Sequence, residues 1–107
     1  MAFQLGAALL DACVLAILSR GDTYGYVLTQ QVREVMNISE STLYPVLRRL
    51  QKDECLTTYD QAYQGRNRRY YQITEHGREK LIEYLTEWDE YKKNVDKVLM
   101  GGGLISE

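Results

Sequence analysis

Between Ser39 and Leu50 the chain runs Ser-Glu-Ser-Thr-Leu-Tyr-Pro-Val-Leu-Arg-Arg-Leu, with two patterns overlaid on one segment. Leu43, Val46, Leu47 and Leu50 recur at helical spacing, which predicts a helix docked on a core by one face. The other face carries Ser41, Thr42, Tyr44, Pro45, Arg48 and Arg49. A helix start and short hydroxyls can bond phosphates, while hydroxyls and arginines can reach base edges in a major groove. An amphipathic helix with a merely solvated outer face would show the same spacing, so the neighbouring segments have to decide.

Upstream, the segment from about Thr23 to Met36 places Tyr24, Leu28, Val32 and Val35/Met36 on one stripe, with Gln30, Gln31, Arg33 and Glu34 outside it. That pattern predicts a second helix ending near Asn37, and Ser39 or Ser41 is suited to cap the next one. Gly25 inside it costs about 1 kcal/mol relative to Ala and predicts close approach of a neighbour. Pro45 lacks an amide donor, so the following helix is expected to start late or to bend. Two helices across a short turn, the second with a polar and basic outer face, read as a helix-turn-helix.

Downstream the period changes. Leu56–Tyr59 and Arg69–Ile73 are rich in β-branched and aromatic residues, and the polar stretch 60–68 between them contains Gly65. They predict a β-hairpin with Arg66 at its tip and Arg68 close by. A basic hairpin after a helix-turn-helix is a wing, suited to a phosphate backbone or a narrow minor groove. Tyr71 and Ile73 share the face expected to be core, and Arg69 can instead pair with an acid. Tyr44 either touches phosphate or packs its ring under the wing.

Residues 5–19 are helical by composition and apolar nearly all round, a surface that needs covering on more than one side. Arg20-Gly21-Asp22 ends this helix, with Asp22 suited to an N-cap. Thr74 is expected to cap a last helix reaching about Met100, on which Leu81, Leu85, Trp88, Val95 and Leu99 form a stripe widened by Tyr84, Tyr91 and Val98. At roughly 1.5 Å per residue such a helix is too long for a compact winged core, so it must project and pair with a second copy. Gly101-Gly102-Gly103 stops it.

The resulting organisation is mainly α with a small β-hairpin: a winged helix-turn-helix DNA-binding domain over 1–74, a C-terminal dimerisation helix over 75–100 and a flexible tail over 101–107. The expected DNA-binding residues are Ser41, Thr42, Tyr44, Arg48, Arg49, Arg66 and Arg68. The expected dimer interface is Leu81, Leu85, Trp88, Val95 and Leu99. Trp88 with Leu85 either only packs or, across a two-fold axis, flanks a space for a planar aromatic molecule.

The net charge of −2 over 107 residues hides an asymmetry. Residues 41–74 hold the bases Arg48, Arg49, Lys52, Arg66, Arg68 and Arg69 against the acids Asp53, Glu54 and Asp60, whereas 75–107 is net acidic. Such a footprint suits a basic half facing phosphate and an acidic half turned away. Cys13 and Cys55 sit in apolar contexts and are expected to be small buried hydrophobes. A lone His76, with no nucleophile–base pair and no metal-ligand spacing, argues against an enzyme, a cofactor or a metal. No run reaches membrane-span length and 3–18 lacks a basic leader, so a cytoplasmic protein is expected.

The chain resembles the PadR family of bacterial transcriptional regulators, in particular its small members with a single C-terminal helix. The matching residues are Tyr24-Gly25-Tyr26, Ser41-Thr42-Leu43-Tyr44-Pro45, Leu47, Arg49, Leu50, Arg68-Arg69-Tyr70-Tyr71, Thr74 and Gly77. The resemblance implies a dimeric winged-helix repressor that binds inverted repeats of double-stranded DNA, in a family many of whose members respond to small aromatic or amphipathic effectors. The competing reading is a winged helix that holds another protein and has no specific DNA site. The family usually has Gly in the turn after the recognition helix, where this chain has Glu54, which costs about 1 kcal/mol if the turn is left-handed.

Overall fold

A computed structural model describes residues 5–101, apart from the side chain of Leu5. The tail expected over 101–107 lies outside these residues except for Gly101. Four helices and three strands follow in the order α1 (Leu5–Ser19), β1 (Thr23–Tyr24), α2 (Gly25–Arg33), α3 (Glu40–Lys52), β2 (Leu56–Tyr63), β3 (Arg66–Ile73) and α4 (Glu75–Leu99). The strands form one antiparallel sheet in the order β1-β3-β2. This is the expected mainly helical winged fold with a long last helix.

Several boundaries differ from expectation. Thr23 and Tyr24, expected in the second helix, are extended and pair with Tyr71 and Tyr70, so the sheet has three strands. Two residues carry too little periodicity to announce a strand, and the pairing is supplied by β3. Asp22 does not cap α2, because the N-cap position falls on Tyr24. Its carboxylate instead accepts from the Tyr59 hydroxyl at 2.8 Å and from Gln72 Nε2 at 3.2 Å. The hairpin strands run well into the polar stretch, with Tyr63 opposite Arg66. The loop is just Gln64-Gly65, both at positive φ (51° and 79°), a pattern that matches the right-handed twist of the flanking strands.

The core gathers Leu10, Val14, Leu15 and Leu18 of α1 with Leu28 and Val32 of α2 and Leu43, Leu47 and Leu50 of α3. Leu56, Tyr71, Ile73 and Leu81 complete it, so Tyr71 and Ile73 are core as expected. Cys55 is buried and Cys13 half-buried, both as free thiols. Leu81, expected at the dimer interface, is instead 9 % exposed within the chain, because α4 lays its first turns against α1 before leaving the body.

α3 begins at Glu40 with no delay at Pro45, which the helix holds in its interior. Ser39 occupies the N-cap position, but its hydroxyl bonds those of Ser41 and Thr42 and caps no backbone amide. At the other end Cys55 N donates to Leu50 O at 2.8 Å and Glu54 N to Gln51 O at 3.0 Å. These two bonds, with Glu54 at φ 64°, make a Schellman turn in which Glu54 holds the place glycine favours. Thr74 is stitched to this turn, donating its hydroxyl to Glu54 O at 2.6 Å while its side chain accepts from Gly77 N at 2.9 Å to cap α4.

Candidate nucleic-acid interface

Leu43, Leu47 and Leu50 bury one side of α3, which leaves Ser41, Thr42, Pro45 and Arg48 exposed. Ser41 and Thr42 stand at the helix start, sharing hydrogen bonds with Ser39, and present a compact group of hydroxyls beside the first-turn amides. Tyr44 is half-buried. Its hydroxyl lies so close to α2 that a Cβ on Gly25 would sit 3.0 Å from it, the close approach expected of that glycine. The ring thus packs against the start of α2 and borders a groove it shares with Arg68 and Asn67 of the wing.

Arg66 is exposed in the last pair of the hairpin, next to the turn. Arg68 is held more tightly. Its guanidinium lies 4.3 Å above the Tyr24 ring and 3.9 Å from that of Tyr63, a cation–π sandwich between β1 and the hairpin. The Tyr70 ring continues the ladder, edge-on to Tyr24 and stacked on Tyr59. Arg69, on the other side of the strand, pairs with Asp60 at 3.6 Å, the alternative expected for it.

Arg49, expected beside Arg48 on the outer face, keeps 44 % of its side chain exposed but is bound to the scaffold. Its Nη2 and Nη1 donate to Asp11 Oδ1 and Oδ2 at 2.6 and 3.0 Å. The Tyr84 hydroxyl donates to the same Oδ2 at 2.9 Å. The bond to Asp11 pushes the Arg49 pKa up, and burial, followed by the bond to Asp11, pushes the Tyr84 phenol above its ordinary range. One α-helical step of about 100° separates Arg48 from Arg49, enough to let the Arg49 head group reach α1 while that of Arg48 points away. Sequence reading missed Asp11, although a single acid in an otherwise apolar helix has to be paired if it is buried. It also missed Tyr24 and Tyr63 as the walls around Arg68.

Along α4, Leu85 is 52 % and Leu99 73 % exposed, while Trp88 and Val95 are half-buried. The Trp88 and Tyr91 rings lie 6.1 Å apart between centroids. Among the described residues no group of side chains is arranged to hold a metal ion, and no helix is long and apolar enough to cross a membrane.

The model of the transcriptional regulator PadR-like family matches residues 14–83. The chain belongs to the PadR-like family. This PadR-like chain is 40 % identical to a protein of Streptococcus mutans whose crystal structure superposes with a TM-score of 0.86, covering 95 % of this chain and 96 % of that one. It is 36 % identical over 75 residues to a transcriptional regulator of Mycobacterium tuberculosis, covering 69 % of this chain and 70 % of the relative. Its fold is shared by Bacillus subtilis PadR, solved in complex with operator DNA, at a TM-score of 0.66 and 23 % identity; 72 % of this chain and 45 % of that one are covered.

Proposed function

We propose that this PadR-like regulator is a homodimeric repressor that binds an inverted repeat of double-stranded DNA and is released by a planar aromatic effector. The observation that carries the DNA reading is the placement of two exposed arginines on adjoining elements. Arg48 projects from α3 and Arg66 from the hairpin, with the hydroxyls of Ser41 and Thr42 at the helix start. Ser41, Thr42 and Arg48 read the major groove, Tyr44 supports them from its place against α2, and Arg66 and Arg68 hold the backbone or minor groove. Arg49 stands outside this set because Asp11 holds it. The reading is supported by the shared fold of Bacillus subtilis PadR, which is solved in complex with operator DNA.

Dimerisation is supported by the far half of α4, where Val98 and Leu99 are 80 % and 73 % exposed in a single chain. An apolar helix end of this kind is covered by a second copy, with Leu85, Trp88, Val95 and Leu99 at the seam. Two Trp88 rings brought together there form the walls of the effector site.

Selection of bound duplexes from a random pool tests the reading. The expected product is an inverted repeat whose half-sites lie about one helical turn apart. Planar aromatic compounds should then release the selected duplex and quench the Trp88 fluorescence, and Trp88→Ala should lose both responses. Recovery of no enriched duplex overturns the reading; an inducer equally effective on Trp88→Ala overturns the effector site alone.

A further inference from the structure

Asp11 is the acidic residue of α1, and its side chain is 4 % exposed. Taking a carboxylate out of water is strongly unfavourable unless its lone pairs are satisfied. Here Oδ1 accepts from Arg49, and Oδ2 accepts from both Arg49 and Tyr84. Arg49 belongs to α3, directly after Arg48, and Tyr84 belongs to α4, directly before Leu85. One buried carboxylate therefore bonds the helix proposed to read DNA and the helix proposed to dimerise.

The two kinds of contact on α3 differ in what they fix. Burial of Leu43, Leu47 and Leu50 holds the helix to the body, but apolar burial is non-directional and tolerates small rotations about the helix axis. A guanidinium fork on a carboxylate is planar and directional, and it sets both distance and roll. Rolling α3 would swing Ser41, Thr42 and Arg48 together.

We propose that Asp11 is a positioning residue: through Arg49 and Tyr84 it fixes the roll of α3 relative to α4, and so sets the half-site spacing the dimer accepts. The proposal rests on the DNA-binding dimer described above. Spacing is the property to measure, because a residue needed only for folding would weaken binding to every duplex alike.

The test uses the full chain and duplexes selected by the wild type, with one base pair added or removed between the half-sites. Replacing a buried charge together with its ion-pair partner by apolar side chains is often neutral for stability, so the double variant Asp11→Leu/Arg49→Met separates positioning from folding. Its discrimination between the selected duplex and the respaced ones should shrink by roughly fivefold or more, the lower end of ordinary coupling between two sites. Binding to random duplex and its salt dependence should stay as in the wild type. Tyr84→Phe removes only a hydroxyl; it should shrink discrimination by roughly twofold, and it decides the matter alone if the double variant does not fold. Unchanged discrimination in the folded variants overturns the proposal, including the case where affinity for all duplexes falls in parallel. A wild type that selects no duplex overturns the DNA-binding reading itself.

Discussion

Tyr84 shows how far a single polar atom in this core depends on its neighbours. Its hydroxyl donates to Asp11, with Arg49 on the same carboxylate, Cys55 nearby and Lys80 5.8 Å from the ring. Below about pH 10, the ordinary tyrosine pKa, the phenol is protonated both folded and unfolded, and the bond contributes fully. Above it the unfolded chain releases that proton while the folded chain keeps it. The folded state then binds more protons, so stability falls as pH rises. Tyr84→Phe should therefore be less stable than wild type by about 1 kcal/mol at neutral pH, with the gap closing above about pH 10. Chemical denaturation across that range checks it, and parallel stability curves would contradict it. From sequence Tyr84 reads only as a member of an apolar stripe, because spacing reveals which face a residue takes and not which polar atom it meets. The same limit hid Arg49: Arg48 and Arg49 are chemically alike, and only the position of Asp11 on α1 separates them.

The elements were legible where their periodicity was long. α3 and α4 follow from apolar spacing and α1 from its composition, and the Thr74 cap follows from its place before Glu75 and Gly77. β1 was not legible, since Thr23 and Tyr24 become a strand only because β3 offers them partners. The hairpin was read too short because Asp60–Tyr63 and Arg66–Arg68 are polar, whereas one face of a solvated ribbon needs no apolar residues. The junction of α3, β2 and α4 has its own requirement. A Cβ on Gly77 would lie 2.2 Å from the Cys55 carbonyl oxygen and 2.8 Å from Ile73 Cγ1, both parts of the packed body. Gly77→Ala, normally favourable inside a helix, should instead destabilise by about 1–3 kcal/mol through overpacking. Thermal unfolding monitored by circular dichroism measures this, and a variant as stable as wild type would show that α4 is not seated so closely on the turn at Glu54.

The molecule spans 63 × 26 × 21 Å, with the 25-residue α4 extending beyond the winged body. The charge asymmetry read from sequence agrees with this shape, since Arg48, Arg49, Lys52, Arg66, Arg68 and Arg69 lie on α3 and the hairpin, whereas α4 carries seven acids against five bases. The stripe on α4 was legible as a whole but not in its division, because nothing in spacing distinguishes Leu81, buried against α1, from Leu85, left open. The central claim is that this molecule, as a dimer, holds duplex DNA by its basic half. The salt dependence of binding to the selected duplex tests it most directly, comparing wild type with Arg66→Ala. Each phosphate contact contributes about 0.9 to the log–log slope, so removal of one contact from each of two chains should flatten it by roughly 1.8 while weakening all duplexes similarly. An unchanged slope and unchanged affinity would contradict the placement of the wing on DNA.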